Sequence, residues 1–154
     1  MPGIMRAVIQ RVKQASVKIN GKIKASISDG ILVLLGIEHE DTKADAEWLA
    51  GKLARLRIFD DDQGVMNLDV KQICGEVLVI SQFTLHAKTK KGNRPSYIQA
   101  AIPDKAIPLY EYFNICLGKH ADTDVKTGEF GAMMDVELLN SGPVTIIIDT
   151  KSKE

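Results

Sequence analysis

Apolar residues fall along this chain in blocks short enough to be strands, and turn-forming residues separate the blocks. Over residues 5–13, Ala7 and Ile9 set against Val8, Gln10 and Val12 predict a strand. Residues 16–19 followed by Asn20-Gly21 predict a hairpin, because Asn-Gly accepts the positive φ angles of a type I′ turn. The return strand is expected over 22–28. Ile31-Leu32-Val33-Leu34-Leu35-Gly36-Ile37 is apolar on both faces, as a central strand covered by helices is. Thr42 stands three residues before Asp45, a capping box that starts a helix. That helix is expected to bury Trp48, Leu49, Leu53 and Leu56, to turn Lys52 and Arg55 outward, and to fade near Ile58 before the Asp60-Asp61-Asp62-Gln63-Gly64 turn.

The second half repeats the pattern. Residues 76–85 predict a strong strand that turns polar at its end, and Ala106, Leu109, Tyr110, Phe113 and Leu117 stand at helical spacing. An interior proline costs a helix about 3 kcal/mol, so Pro108 is expected in or before the first turn, with Pro103-Asp104 as an irregular lead-in. Strands around 125–130, 133–139 and 144–149 close the chain. The sum is a mixed α/β fold of α+β-like character: a β-rich, barrel-like or two-sheet core with two main helices packed on it, in a single domain over 1–154. One stretch breaks the pattern. Asn140-Ser141-Gly142-Pro143-Val144-Thr145 sets a Gly-Pro pair where a strand should run, and proline cannot donate to a sheet ladder.

Composition narrows the classes. The chain has 154 residues, 45% of them hydrophobic and 26% charged, as an ordinary globular domain does. Its 20 cationic and 20 anionic side chains balance, so a polyanionic partner has to be held by a local cluster and not by a whole-molecule field. Lys88, Lys90, Lys91 and Arg94 around Gly92 form such a cluster. Cys74 and Cys116, far apart in apolar surroundings, read as reduced core thiols of a cytoplasmic protein. No run approaches the eighteen apolar residues of a membrane span.

Candidate chemistry is sparse. The three aspartates 60–62 lack the alternating ligands of a calcium loop and read as a solvated turn. No nucleophile elbow, HExxH, phosphate loop or dinucleotide fingerprint occurs, so the expectation is no metal and no cofactor. His86 lies two residues beyond Thr84 and would share a face with it in an extended segment, a weak basis for a general base. Extended geometry would also face Gln82 and Thr84 one way and Ser81 and Phe83 the other.

Six ordered blocks carry a resemblance. They are Met5-Arg6-Ala7-Val8-Ile9-Gln10-Arg11-Val12, Arg57-Ile58-Phe59 with Gly64-Val65-Met66-Asn67, Ser81-Gln82-Phe83-Thr84-Leu85, Gly92-Asn93-Arg94-Pro95-Ser96, Thr127-Gly128-Glu129-Phe130-Gly131-Ala132, and Asn140-Ser141-Gly142-Pro143-Val144-Thr145. Together they resemble the D-aminoacyl-tRNA deacylases almost end to end. The resemblance implies an enzyme that hydrolyses the ester between a D-amino acid, or glycine, and the terminal ribose of tRNA. It implies a homodimer with shared active sites, in which a cis Gly142-Pro143 pair reaches into the partner's pocket and is held by Arg11. It further implies a catalytic segment Ser81, Gln82, Phe83 and Thr84 working largely through backbone groups and the 2′-hydroxyl of tRNA, an adenosine pocket lined by Phe130 and Met134, and tRNA contacts from Lys88, Lys90, Lys91 and Arg94. Neither DNA nor a membrane is an expected partner. The chain departs from the family pattern at Ser141, where aspartate is common, at Lys88, where an acid is frequent, and in residues 1–4, which precede the usual start. The alternative from another class is a non-catalytic tRNA-binding module using loop 88–94.

Overall fold

The computed structural model describes residues 4–151; most of the N-terminal extension, residues 1–3, lies outside them. The two apolar blocks at the start are one long strand, β1 (Arg6–Ile19), whose second half turns back through Asn20 (φ 52°) and Gly21 (φ 77°) into β2 (Lys22–Ile27). These positive angles are the ones an Asn-Gly hairpin supplies. β3 (Gly30–Gly36) is buried on both faces, as its unbroken apolar run requires.

Helix α1 (Lys43–Ala54) starts at the Thr42–Asp45 capping box, with the Thr42 amide donating to the Asp45 carboxylate at 2.8 Å. It ends four residues before Ile58, and Ala46, Ala50 and Ala54 join Leu49 and Leu53 on its buried face. The aspartate run is the turn of a small hairpin between β4 (Phe59–Asp60) and β5 (Met66–Leu68). The Asp61 carboxylate accepts hydrogen bonds from the amides of Gln63 and Val65 and from the side chain of Asn67, so it is spent on the turn.

β6 (Glu76–Ser81) is shorter than expected: the chain leaves the sheet at Ser81 and winds into a 3-10 turn, Phe83–His86. Helix α2 (Pro103–Ala121) also differs from expectation. Pro103 occupies the first turn, where its missing amide costs nothing, and Pro108 lies inside the helix on an exposed face, where water can take the carbonyl it leaves unpaired. β7 (Val125–Thr127) stops short of Phe130, and residues 128–134 form a loop before β8 (Asp135–Asp149). Cys74, expected in the core, is exposed at a positive φ of 54° in the turn before β6; Cys116 is half-buried.

One edge of β1 pairs with β3 along its first half and with β2 along its second, and the other edge pairs with β8 over nearly its whole length. β6 and β7 then extend the sheet in parallel from β3. The sheet curls until its far strands meet. Lys126 of β7 donates to the Ser26 carbonyl of β2 at 3.0 Å and pairs with Glu76 at 3.1 Å, nearly closing a barrel. Val12, Val17, Leu32, Leu78 and Ile80 fill its interior. A larger apolar layer lies on the other face, where Ile9, Ile31, Val33 and Val79 meet Leu49 and Leu53 of α1 and Phe113 and Leu117 of α2. Both helices therefore cover one side of the curled sheet, which leaves β8 and the C-terminal end of β6 to carry exposed features.

The parallel junction of β3 and β6 is the tightest point. A Cβ at Gly30 would stand 1.8 Å from the Glu76 carbonyl oxygen, a backbone atom that cannot step aside. Gly30→Ala is therefore expected to destabilise the fold by about 3 kcal/mol through overpacking, a fall in Tm of roughly 6–12 °C. Thermal unfolding checks this; an unchanged Tm would mean the two strands do not approach as closely as described.

Candidate active site

Three segments meet at the C-terminal end of β6. A cavity of about 230 Å³ is lined there by Ser81, Gln82, Phe83 and Thr84, by Leu35 and Ile37 from the neighbouring strand, by Ala101 and Ala106 at the start of α2, and by Phe130, Met133 and Met134 from the loop before β8. The buried strand fixes the position of Ser81, and the 3-10 turn then alters the geometry that an extended chain would give. Gln82 donates to the Thr84 hydroxyl at 3.0 Å, while the Gln82 amide still donates to Leu35 at 2.8 Å. The first amides of a 3-10 turn have no acceptor within it, and here they belong to Phe83 and Thr84. Phe130 packs its ring 5.8 Å from that of Tyr110, whose hydroxyl donates to the Val79 carbonyl at 2.9 Å. Met134 lies against Gly128, where a Cβ would come within 2.5 Å of its sulfur.

The turn is anchored from behind. Arg6 donates to the Leu85 carbonyl at 2.8 Å and stands 3.8 Å from Asp149. His86 is buried with its Nδ1 3.7 Å from the Glu38 carboxylate. Burial, reinforced by the positive charges of Arg6 and Lys88, holds the imidazole pKa below its ordinary value despite the Gly36 carbonyl and Glu38. Thr84 is exposed while His86 is buried beside Glu38 in a 3-10 turn, so the shared face expected of an extended segment is lost. Asp41 is buried beside the Glu38 backbone. It accepts from the Glu38 amide at 2.6 Å, and burial pushes its pKa up to about 7.

The Gly-Pro corner lies elsewhere. Thr145 pairs with Gln10 and Asn140 with Val12, so residues 141–144 bulge out of β8 opposite the single residue Arg11. The Gly142–Pro143 bond is cis, and both residues are exposed. Arg11 donates through Nε to the Ser141 carbonyl at 2.8 Å and through Nη1 to the Ile58 carbonyl at 2.7 Å, with Asp60 at 3.5 Å. It therefore grips the carbonyl just before the Gly-Pro pair. Asn140 closes the base of the bulge: its side-chain oxygen accepts from the Val144 amide at 2.8 Å, and its nitrogen donates to the Thr145 hydroxyl at 3.1 Å. Position 142 requires glycine, because φ is +135° and a Cβ would meet Arg11 and Val144 at 2.9 Å.

The fold thus gathers Ser81, Gln82, Phe83, Thr84, Phe130 and Met134 around one cavity and joins Arg11 to the corner, but no corner residue lines the cavity of its own chain. Lys88, Lys90, Lys91 and Arg94 are all exposed in a loop closed by paired backbone hydrogen bonds of 2.8 Å between Lys88 and Ser96. Sequence reasoning assigned no role to Arg6, Asn140 or the Glu38–Asp41–His86 recess. Arg6 and Asn140 lay within the blocks already quoted, but only the folded contacts show what they hold. Among the described residues, no three His, Cys, Asp or Glu side chains are gathered as a metal site needs.

The sequence profile described as D-Tyr-tRNA(Tyr) deacylase matches residues 8–149. The chain belongs to that family. It is 60% identical over 154 residues to a D-aminoacyl-tRNA deacylase of Phocaeicola vulgatus, with 97% of this chain and 100% of that protein covered. It is 56% identical to one of Flavobacterium johnsoniae, with the same coverage. A solved protein described as a c-Myc DNA unwinding element binding protein superposes with a TM-score of 0.87 at 40% identity, over 94% of this chain and 97% of that one. Another, described as a probable eukaryotic D-amino acid tRNA deacylase, shares the fold with a TM-score of 0.81 at 18% identity, over 95% and 99%. Membership makes the chain a deacylase, an ester-cleaving enzyme acting on aminoacyl-tRNA.

The Asp41 recess predicts a pH dependence that is separable from activity. Its folded pKa, about 7, lies above the unfolded value of 3.8, so the folded state holds the extra proton. The associated stability is complete below about pH 4 and lost as pH rises towards 7. His86 acts with the opposite sign, losing stability as pH falls below its ordinary value. Asp41→Asn should leave Tm near that of the wild type at pH 4 and above it at pH 8, as measured by thermal unfolding across that range; a constant difference would show that Asp41 is ionised throughout.

Proposed function

We propose that this deacylase hydrolyses the ester joining a D-amino acid, or glycine, to the terminal ribose of tRNA, and so proofreads chirality in the cytoplasm, the whole chain acting as one domain. The carrying observation is that the corner at residues 141–144, braced by Arg11 and Asn140, and the cavity at residues 81–84 do not meet within one chain. A second copy resolves this by placing its corner over the first copy's cavity. The outer edge of β8 supports such pairing: it has no strand partner among the described residues, and Leu139 and Ile147 on β8 are 50% and 68% exposed.

In this reading the terminal adenosine sits against Phe130 and Met134, and the ester carbonyl points at the amides of Phe83 and Thr84, supported by Ser81 and Gln82. Water adds to the carbonyl carbon, and the amides stabilise the oxyanion that forms. The bond to the ribose oxygen then breaks, with the proton delivered to that oxygen and the neighbouring 2′-hydroxyl assisting. A main-chain carbonyl of Gly142 or Pro143 accepts a hydrogen bond from the substrate's α-amino group and fills the space that an L side chain would need. Glycine has no side chain to exclude and passes. No side-chain base is required, in keeping with Thr84 being hydrogen-bonded to Gln82 and His86 being buried beside Glu38.

A second reading, a non-catalytic tRNA-binding module using Lys88, Lys90, Lys91 and Arg94, rests on the exposure of all four side chains alone.

Incubation with D-tyrosyl-tRNA and L-tyrosyl-tRNA separates the two readings. Hydrolysis of the D form alone is expected. Equal rates contradict the chiral filter, and salt-sensitive binding without cleavage favours the module. In the same assay Thr84→Ala should stay within about tenfold of the wild type, since neither the backbone donors nor the 2′-hydroxyl is touched; a loss approaching that of a nucleophile knockout, about 10⁶-fold, would make the Thr84 hydroxyl the nucleophile.

A further inference from the structure

Two aromatic rings stand at the mouth of the cavity with no role in the chemistry above. Phe83 is 56% exposed and Tyr97 38% exposed, and their rings meet edge to face with centroids 4.9 Å apart at 79°. A ring held in this way is rigid and keeps aromatic surface open to solvent, as a stacking platform must. The chain around them is electrostatically one-sided: residues 87–103 carry Lys88, Lys90, Lys91 and Arg94 and no carboxylate. The bridge between Lys88 and Ser96 places the base of this cationic loop next to Tyr97 in the chain. Aromatic surface interleaved with positive charge is the pattern that binds single-stranded nucleic acid, the bases stacking and the phosphates pairing with the cations.

We propose that Phe83 and Tyr97, with the 88–94 loop, form a subsite for the single-stranded nucleotide that precedes the terminal adenosine of the substrate tRNA. Its base stacks on the aromatic pair, and the phosphate linking it to the adenosine lies against the cationic loop. The subsite rests on the deacylase reading above. A cavity of about 230 Å³ has no room for a further nucleotide, so the rest of the strand has to leave across its mouth, where Phe83 is both a wall of the cavity and half of the platform. The occupant is a nucleotide and not the amino-acid side chain, because the cationic loop joins the chain at Ser96, next to Tyr97, and a phosphodiester supplies the charge that pairs with it.

The test compares D-tyrosyl-tRNA with D-tyrosyl-adenosine, a substrate that ends at the terminal nucleoside, in the wild type, Tyr97→Ala and Tyr97→Phe. Base stacking on one ring is worth about tenfold to a hundredfold in affinity. Tyr97→Ala should raise KM for the tRNA substrate by that factor relative to any change on the nucleoside substrate, with little effect on kcat, and Tyr97→Phe should restore the wild-type KM. Equal changes on the two substrates would overturn the subsite and leave Tyr97 a packing residue for the loop, as would an unchanged KM for tRNA. Failure of the wild type to cleave either substrate would instead overturn the deacylase reading itself.

Discussion

Everything distinctive about this fold depends on a strand that is not allowed to finish. β8 pairs with β1 on both sides of Arg11, and opposite that one residue it carries four, 141–144, in place of one. Such an excess leaves amides and carbonyls without ladder partners, and a loop of this kind would ordinarily be mobile. Here the guanidinium of Arg11 binds the Ser141 carbonyl and the Ile58 carbonyl at once, and Asn140 takes over the hydrogen bonds at the base. A planar fork reaching two carbonyls is work that a lysine could not copy. The result is an exposed corner braced at both ends by hydrogen bonds.

The cavity follows a similar economy. Its floor is the end of a buried strand, its polar wall is a 3-10 turn, and the turn is held by contacts that never reach the cavity: Arg6 on the Leu85 carbonyl and the recess of Glu38, Asp41 and His86. Burying three titratable groups behind the turn is costly, and two of them show the cost in pKa values moved against the charged form. In the proposed mechanism the groups that meet the substrate are main-chain amides and carbonyls, whose positions depend on the fold alone. That is why the stabilising side chains sit one layer back.

Much of the scaffold was legible from local pattern. Asn20-Gly21, the Thr42–Asp45 box and the apolar run of β3 each act within a few residues, and each appears where the sequence places it. The misreadings share a physical cause, since they depend on contacts made at long range. The strand expected to continue to Leu85 leaves the sheet at Ser81, and the 3-10 turn that replaces it is held by Arg6, 79 residues away, on the Leu85 carbonyl. Pro108 sits inside α2 because its face of the helix is open to water, which a helical-spacing argument cannot foresee. His86 is buried although loop histidines are mostly solvated, and Cys74 is exposed although it follows an apolar residue. The proposed site residues come from ordered blocks and not from a catalytic constellation, and a site working through backbone groups, as proposed, leaves little side-chain signature.

The corner is the part of the proposal on which the rest turns, and a structure with a non-hydrolysable D-aminoacyl-adenosine analogue tests it most directly. The α-amino nitrogen should lie within about 3.2 Å of the Gly142 or Pro143 carbonyl of a second copy of the chain, with the ester-equivalent carbonyl at the amides of Phe83 and Thr84. An analogue bound in that cavity with its amino group held by side chains of the same chain, and the corner facing solvent, would contradict it.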